Sequence, residues 1–221
     1  MEIKVVKNIL AQNEGIAEEN QRRFKENGVF AVNMMSSPGS GKTSILERTV
    51  GLIKDEFKVG VVEGDICTTA DVDRLKKYEI PIVQINTEPF GGDCHLEAHM
   101  LQKALDCLDL GSIELLLIEN LGNLVCPAEF KLGADRRIAI LSITEGEDKP
   151  LKYPLIFRVA DLLLINKIDL EEYLEVDVQL IEENVSKINP ELPIIRTSAK
   201  SGEGFDQWKE WLVKGIKGRT A

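Results

Sequence analysis

The stretch VFAVNMMSSPGSGKTSILERTVGLI, residues 29–53, runs from an apolar strand through a loop of glycine and serine into an amphipathic helix. The loop, Ser36-Ser37-Pro38-Gly39-Ser40-Gly41-Lys42-Thr43, has the composition and context that phosphate binding requires. Gly39 and Gly41 let backbone N–H groups turn inward around phosphate oxygens, at a helix start whose dipole favours anions. Lys42 is placed to reach the β- and γ-phosphates and is read as catalytic. Thr43 is placed to ligate Mg²⁺, with Ser40 and Ser44 at the same nucleotide. Ser36 stands where the usual pattern has glycine, so the loop entry must be one that tolerates a Cβ. A plain turn between strand and helix would also explain the octamer taken alone.

Outward from this loop, apolar runs alternate with amphipathic stretches. Strands are expected at 29–35, 58–64, 81–86, 113–120, 137–143, 161–167 and 193–198, and helices at 42–52, 71–78, 93–110, 176–187 and 205–217. Near-continuous apolar strands separated by helices signal a doubly wound, mostly parallel α/β sheet covered on both faces. Before it, Val6, Ile9, Leu10, Ile16, Ala17 and Phe24 lie among charges, an amphipathic helix that Asn27-Gly28 would stop. The division is therefore residues 1–27, a helix packed on the domain, and 28–221, one nucleotide-binding domain.

Two later motifs decide the base. Asn166-Lys167-Ile168-Asp169 follows the strand DLLLI and has the form of the guanine-binding NKxD motif of GTPases. A carboxylate at Asp169 can accept from the ring N–H and the exocyclic amine of guanine, a donor pair adenine lacks. Ser198-Ala199-Lys200, after the strand PIIRT, matches the third element, in which a backbone N–H near Ala199 meets the guanine carbonyl. Either motif alone could be an ordinary turn; three in order at strand ends point to GTP and GDP.

Carboxylates are needed near Mg²⁺ and the attacking water. Glu119 ends IELLLIE and begins Glu119-Asn120-Leu121-Gly122, an ExxG where many GTPases have DxxG. Glu119 is placed at Mg²⁺ and Gly122 at the γ-phosphate. Asp65 is placed near Mg²⁺ and Asp71 as the residue orienting water, although a solvated loop explains Asp71 equally well.

Composition excludes several classes. The 221 residues carry 27 Lys and Arg against 37 Asp and Glu, and a net charge of -10 repels phosphate backbones, so no nucleic-acid partner is expected. No segment approaches the run of apolar residues a bilayer span needs, and the opening MEIKVVKNILAQNEG has no long apolar core, so the chain is read as cytoplasmic. Four cysteines, 67, 94, 107 and 126, are too sparse for a disulfide scaffold.

Both histidines of the chain lie in Gly91-Gly92-Asp93-Cys94-His95-Leu96-Glu97-Ala98-His99. If Asp93 caps a helix, His95 and His99 stand at i and i+4 on one face, with Cys94 in the first turn. Cys126 follows the ExxG segment. Thiolate and imidazole suit Zn²⁺ or Ni²⁺ if they converge; buried thiols beside two surface histidines are the equal alternative. Cys107 shares a stripe with Met100 and Ala104 and Cys67 has no nearby histidine, so neither is assigned a role.

EGD at 63–65, CHLEAH at 94–99, ENLGNLVCPAEFKLG at 119–133 and TEGEDKPLKYP at 144–154 resemble the HypB family, the nickel-incorporation GTPases of hydrogenase maturation. The resemblance covers most of the chain. It implies a SIMIBI-class P-loop GTPase that dimerises with GTP bound, and an interface metal site at Cys94, His95 and Cys126, with His99 as an additional ligand. It also implies nickel delivery to a [NiFe]-hydrogenase large-subunit precursor, helped by a zinc-containing chaperone. Some members carry an N-terminal cysteine motif or a histidine-rich tract; here no Cys precedes Cys67 and no His precedes His95. Lys149 and Lys152 could reach a phosphate or a partner subunit, though loop lysines are usually solvated. Two other readings remain at this stage. An accessory GTPase for urease or a cobalamin-dependent mutase is disfavoured by CHLEAH, and an ATP-dependent P-loop enzyme by Asp169.

Overall fold

Seven parallel strands in the order β3-β2-β4-β1-β5-β6-β7 form the sheet of the computed structural model. It describes residues 4–65, 70–87 and 94–220; side chains at 4–9, 70–72 and 220 fall outside that description. The strands are β1 (Phe30–Ser36), β2 (Val59–Asp65), β3 (Ile82–Asn86), β4 (Leu115–Gly122), β5 (Arg136–Ser142), β6 (Leu162–Asn166) and β7 (Ile194–Arg196). Each falls on an expected apolar run. β1, β4 and β6 are buried along nearly their whole length, as strands covered on both faces must be.

The helices are α1 (Lys4–Glu26), α2 (Lys42–Ile53), α3 (Ala70–Leu75), α4 (Ala98–Leu105), α5 (Cys126–Glu129), α6 (Lys149–Lys152), α7 (Pro154–Val159), α8 (Val178–Ser186) and α9 (Phe205–Thr220). One apolar layer joins α2 and α9 to the sheet through Ile45, Leu46, Trp208 and Leu212. On the other face, Phe24 of α1 and Leu101 and Leu105 of α4 pack on Ala31 and Leu116. Trp208 is fully buried, and its indole N–H donates to Thr49 Oγ1 at 2.9 Å, satisfying the polar atom that burial would otherwise strand.

α1 is keyed to the domain by polar contacts as well as apolar ones. Asn20 Nδ2 donates to Ala98 O at 2.9 Å, and the Ala98 N–H donates to Asn13 Oδ1 at 2.8 Å. Gly28 then turns the chain with φ 70°, a left-handed conformation that favours glycine, so the predicted Asn27-Gly28 stop ends α1 as read. Among the described residues no helix is long and apolar enough to cross a membrane.

The helix expected at 93–110 is corrected. α4 begins only at Ala98, with Glu97 in extended conformation at its N-cap. Asp93 lies outside the described residues. Cys94 and His95 therefore precede the helix, and His95 and His99 do not form an i, i+4 pair. Helical periodicity does continue through CHLEAH, but Asn120 Oδ1 takes the Leu96 N–H at 3.0 Å, so a long-range hydrogen bond overrides local propensity. α4 also stops at Leu105, which leaves Cys107 exposed rather than on the core stripe of Met100 and Ala104.

Candidate functional site

The phosphate loop links the end of β1 to α2. Ser36, wholly buried, closes β1; its hydroxyl accepts from Ser40 Oγ at 2.6 Å and from Lys42 Nζ at 3.0 Å, and donates to Ser37 O at 2.8 Å. The departure from glycine is thus filled by a hydroxyl that braces the loop from inside. Gly39 has φ 76° and Gly41 φ 94°, conformations that favour glycine. At Gly41 space is also short, since a Cβ there would stand 2.5 Å from Asn166 Nδ2.

That proximity reflects an interlock with the base motif. Asn166 Nδ2 donates to Ser40 O at 2.9 Å while its Oδ1 accepts from Ala199 N at 3.1 Å, joining three motifs through one buried amide. Lys167 adopts φ 65°, and its Nζ donates to Gly39 O at 2.7 Å. Asp169 Oδ1 accepts from Ser198 Oγ at 2.6 Å, with Lys200 Nζ 4.0 Å from Oδ2. Arg48 of α2 reaches Ala199 O at 3.1 Å and clasps the 198–201 turn. These elements wall a cavity of about 620 Å³ lined by Gly41, Ser44, Asn166, Lys167, Asp169 and Ala199.

A second cavity, about 540 Å³, shares Gly41, Ser44 and Lys167 with the first and extends over the phosphate loop. Its wall brings together Lys42, Thr43, Asp65, Glu119, Gly122 and Cys94. Thr43 Oγ1 donates to Glu119 Oε1 at 2.8 Å, and Glu119 is 4% exposed. A hydroxyl and two carboxylates around one cavity give the hard oxygen donors Mg²⁺ takes, so the residues fit that ion. At Gly122 a Cβ would lie 2.9 Å from Pro38 Cα, which brings the ExxG segment directly against the phosphate loop. α3 carries Asp71, whose side chain lies outside the described residues, as does all of Cys67.

Cys94, His95 and Cys126 converge. One donor atom from each lies within 4.8 Å of the others, with the two Sγ atoms 3.3 Å apart and Cys94 Sγ 3.9 Å from His95 Nδ1. Cys126 is the first residue of α5, which Pro127 starts, and the His95 ring packs on Phe130 at 4.1 Å between centroids. Burial, and then the Cys94 thiol beside it, push the Cys126 thiol above its usual range. His99 is not in this group; its Nδ1 lies 3.1 Å from Glu97 Oε2, because α4 turns it toward its own N-cap residue.

The model of the "CobW/HypB/UreG, nucleotide-binding domain" family matches residues 30–196. A hydrogenase maturation factor HypB of Azotobacter vinelandii is 48% identical over 212 residues, 96% of this chain and 69% of that protein. The chain belongs to the HypB family. Two solved HypB structures share the fold at TM-score 0.87 and 42% identity. That from Archaeoglobus fulgidus covers 94% of this chain and 100% of its own, and that from Helicobacter pylori, in complex with nickel, 93% and 95%.

Within this HypB-family chain, several site residues escaped the motifs. Glu63, 1% exposed, is the Cα partner of Glu119 across β2 and β4 and lines the same cavity. A carboxylate directly after the apolar run VGVV (59–62), two residues before Asp65, was the available signal. Glu145 accepts from Ser37 Oγ, while its other oxygen takes the Ser142 N–H at 2.8 Å, tying the 144–154 segment to the phosphate loop. Arg74 donates to Ser44 Oγ at 3.2 Å and to Glu47, and borders both cavities. Glu145 closes a Ser142-x-x-Glu145 capping box, a local signal, but its reach to Ser37 and that of Arg74 to Ser44 are contacts that only the fold creates.

Proposed function

We propose that this protein is a GTP-hydrolysing nickel carrier for [NiFe]-hydrogenase maturation, switching between nucleotide states as a dimer. The observation that carries this reading is the position of Cys94, a member of the thiol and imidazole cluster that also lines the phosphate cavity. The cluster's soft and borderline donors suit Ni²⁺ or Zn²⁺ as cargo. Asp169 selects guanine, and a backbone N–H near Ala199 meets its carbonyl, the Ala199 N–H itself being held by Asn166 Oδ1. Lys42 and the loop N–H groups hold the β- and γ-phosphates. Thr43, Asp65 and Glu119 would hold Mg²⁺, which when bound offsets charge on those phosphates. Asp71 orients the attacking water.

Loss of the γ-phosphate acts on Gly122, four residues before Cys126 in the chain and in contact with Pro38. Hydrolysis thereby loosens a metal ligand without a long relay. GTP-bound chains pair, with the cluster at the joint; Val125, 44% exposed beside Cys126, is an apolar residue such a joint would cover. A zinc-containing chaperone and the hydrogenase large-subunit precursor are the partners, by family resemblance.

Equilibrium nickel binding with GDP and then a non-hydrolysable GTP analogue, with mass read by light scattering on the same samples, tests this. Dimerisation with the analogue and a nucleotide-dependent nickel affinity are expected. A mass and an affinity that both ignore the nucleotide would sink the delivery switch and leave nucleotide binding standing.

A further inference from the structure

We propose that Arg74, on α3, binds the α-phosphate of the nucleotide, a subsite that rests on the nucleotide reading above and grips GTP and GDP alike. The base cavity and the phosphate cavity share four wall residues, Gly41, Ser44, Arg74 and Lys167. A nucleotide with its base at Asp169 and its terminal phosphates at Lys42 and Thr43 crosses this junction with its ribose and α-phosphate. Arg74 and Lys167 are the charged residues there. Lys167 Nζ donates to Gly39 O at 2.7 Å, so its ammonium lies against the loop backbone. Arg74 comes from α3, which packs on α2, and its Nη2 donates to Ser44 Oγ at 3.2 Å in the first turn of α2. First-turn N–H groups have no partner within a helix and face a bound anion, so the guanidinium stands beside the donors a phosphate would meet.

The guanidinium is held without being hidden. Its Nε donates to Glu47 Oε2 at 3.1 Å and its Nη2 to the same oxygen at 2.6 Å, which fixes the plane of the group. The side chain nevertheless remains 41% exposed, so a ligand can reach it. The other Glu47 oxygen accepts from Lys77 Nζ at 2.6 Å. Two cations against one carboxylate leave this trio with a net positive charge beside the phosphate path.

An ion pair that only fastens α3 to α2 is the competing account, and it explains the contact with Glu47. Lys77, from the turn after α3, also makes that tie, and fastening gives no reason for the guanidinium to border both cavities and reach Ser44. Phosphate oxygens match the planar fork of arginine. Because GDP and GTP share the α-phosphate, Arg74 contributes to the binding of both by the same factor.

The test is calorimetric titration of the nickel-free protein, at fixed Mg²⁺, with GDP and with a non-hydrolysable GTP analogue, followed by ³¹P NMR of bound GDP. Arg74→Ala should weaken both nucleotides by about 10–100-fold, the scale of one charge-assisted hydrogen bond, and should move the α-phosphorus resonance more than the β. Arg74→Met, which keeps an apolar stem, should match it. Glu47→Gln, which keeps an acceptor for Arg74 but removes a negative charge from the cavity wall, should hold GDP within about threefold or bind it more tightly. Equal weakening by Arg74→Ala and Glu47→Gln would reduce Arg74 to a fastener of α3 and overturn the subsite. So would an unmoved α-phosphorus resonance. A loss confined to the GTP analogue would put the guanidinium on the γ-phosphate instead. Normal GDP binding by both Arg74 variants sinks this subsite alone, whereas a wild type that binds no GDP sinks the nucleotide reading and the subsite with it.

Discussion

The nucleotide end of the sheet and the cysteine and histidine cluster lie side by side but are built by opposite means. At the nucleotide end, function rests on main-chain groups emerging from buried strands and locked to one another. Asn166 grips both Ser40 and Ala199, Lys167 grips Gly39, and Glu145 grips Ser37. At the cluster, function rests on side chains of two short segments outside regular strands, tied back through Asn120 to Leu96 and Asn123 to Val125. A preorganised cradle suits a charged ligand whose geometry never changes. A lightly tethered pair of thiols suits the transient metal cargo proposed for it.

The largest break in this comparison should come from Lys42→Ala. Removing the buried ammonium from the phosphate loop is expected to slow GTP turnover by roughly 10²–10³-fold or more, the scale of losing a transition-state donor. Nickel bound by Cys94, His95 and Cys126 should be unaffected in the GDP state. Phosphate release and equilibrium dialysis on one preparation check both. Retained turnover would refute the assignment of the loop, and lost metal would show the two ends are one unit.

Cys126→Ala inverts the experiment. Losing a direct ligand should weaken nickel by at least the roughly 10–100-fold seen when only an outer partner is removed, while GDP affinity stays as it was. Full metal retention would eliminate the cluster. Asp169→Asn probes the cradle's other end. Replacing an anionic acceptor should reduce the preference for GDP over ADP by about 10–100-fold, matching the 1.5–3 kcal/mol of a hydrogen bond to a charged group. An unchanged preference would place base selection elsewhere.

The same contrast explains what the sequence could disclose. All seven strands were legible because burial on both faces writes a continuous apolar run, and each nucleotide motif sits at such a strand's end. Convergence of Cys94 with Cys126 was legible only through the family resemblance, not from spacing, since 32 residues separate them and α4 in between begins where local periodicity would not start it. His99, an additional ligand by the family resemblance, follows the N-cap at Glu97, pairs with that carboxylate and is not in the group of three donors. The four-residue helices α5 and α6 are too short to write a period at all. Glu145 and Arg74 belong to the site through contacts made by distant chain segments, which no local pattern encodes.

A smaller effect would sharpen the comparison within the nucleotide end itself. Its outer wall, unlike the cradle, is held by charge. Glu47 of α2 accepts from Arg74 and Lys77 at 2.6 Å each, binding α3 and the turn after it to α2. Partial burial alone would raise the Glu47 pKa, but hydrogen bonds from Lys77 and Arg74 outweigh it and hold the carboxyl below its usual range. A carboxyl whose folded pKa is depressed adds stability above its unfolded pKa and loses it as pH falls through the folded value. The loss should therefore fall between about pH 5 and pH 3. Because these side chains are partly solvated, it amounts to roughly 0.2–1 kcal/mol. Hydrogen exchange, corrected for the intrinsic pH dependence, should show amides of the 73–78 segment losing protection across that window while those of β1 and β6 do not. In Glu47→Gln the segment should be less protected at pH 7 and its protection flat with pH. Equal loss in β1 and the 73–78 segment would mean the wall and the cradle open together, and the distinction between a charge-held wall and an interlocked cradle would fail.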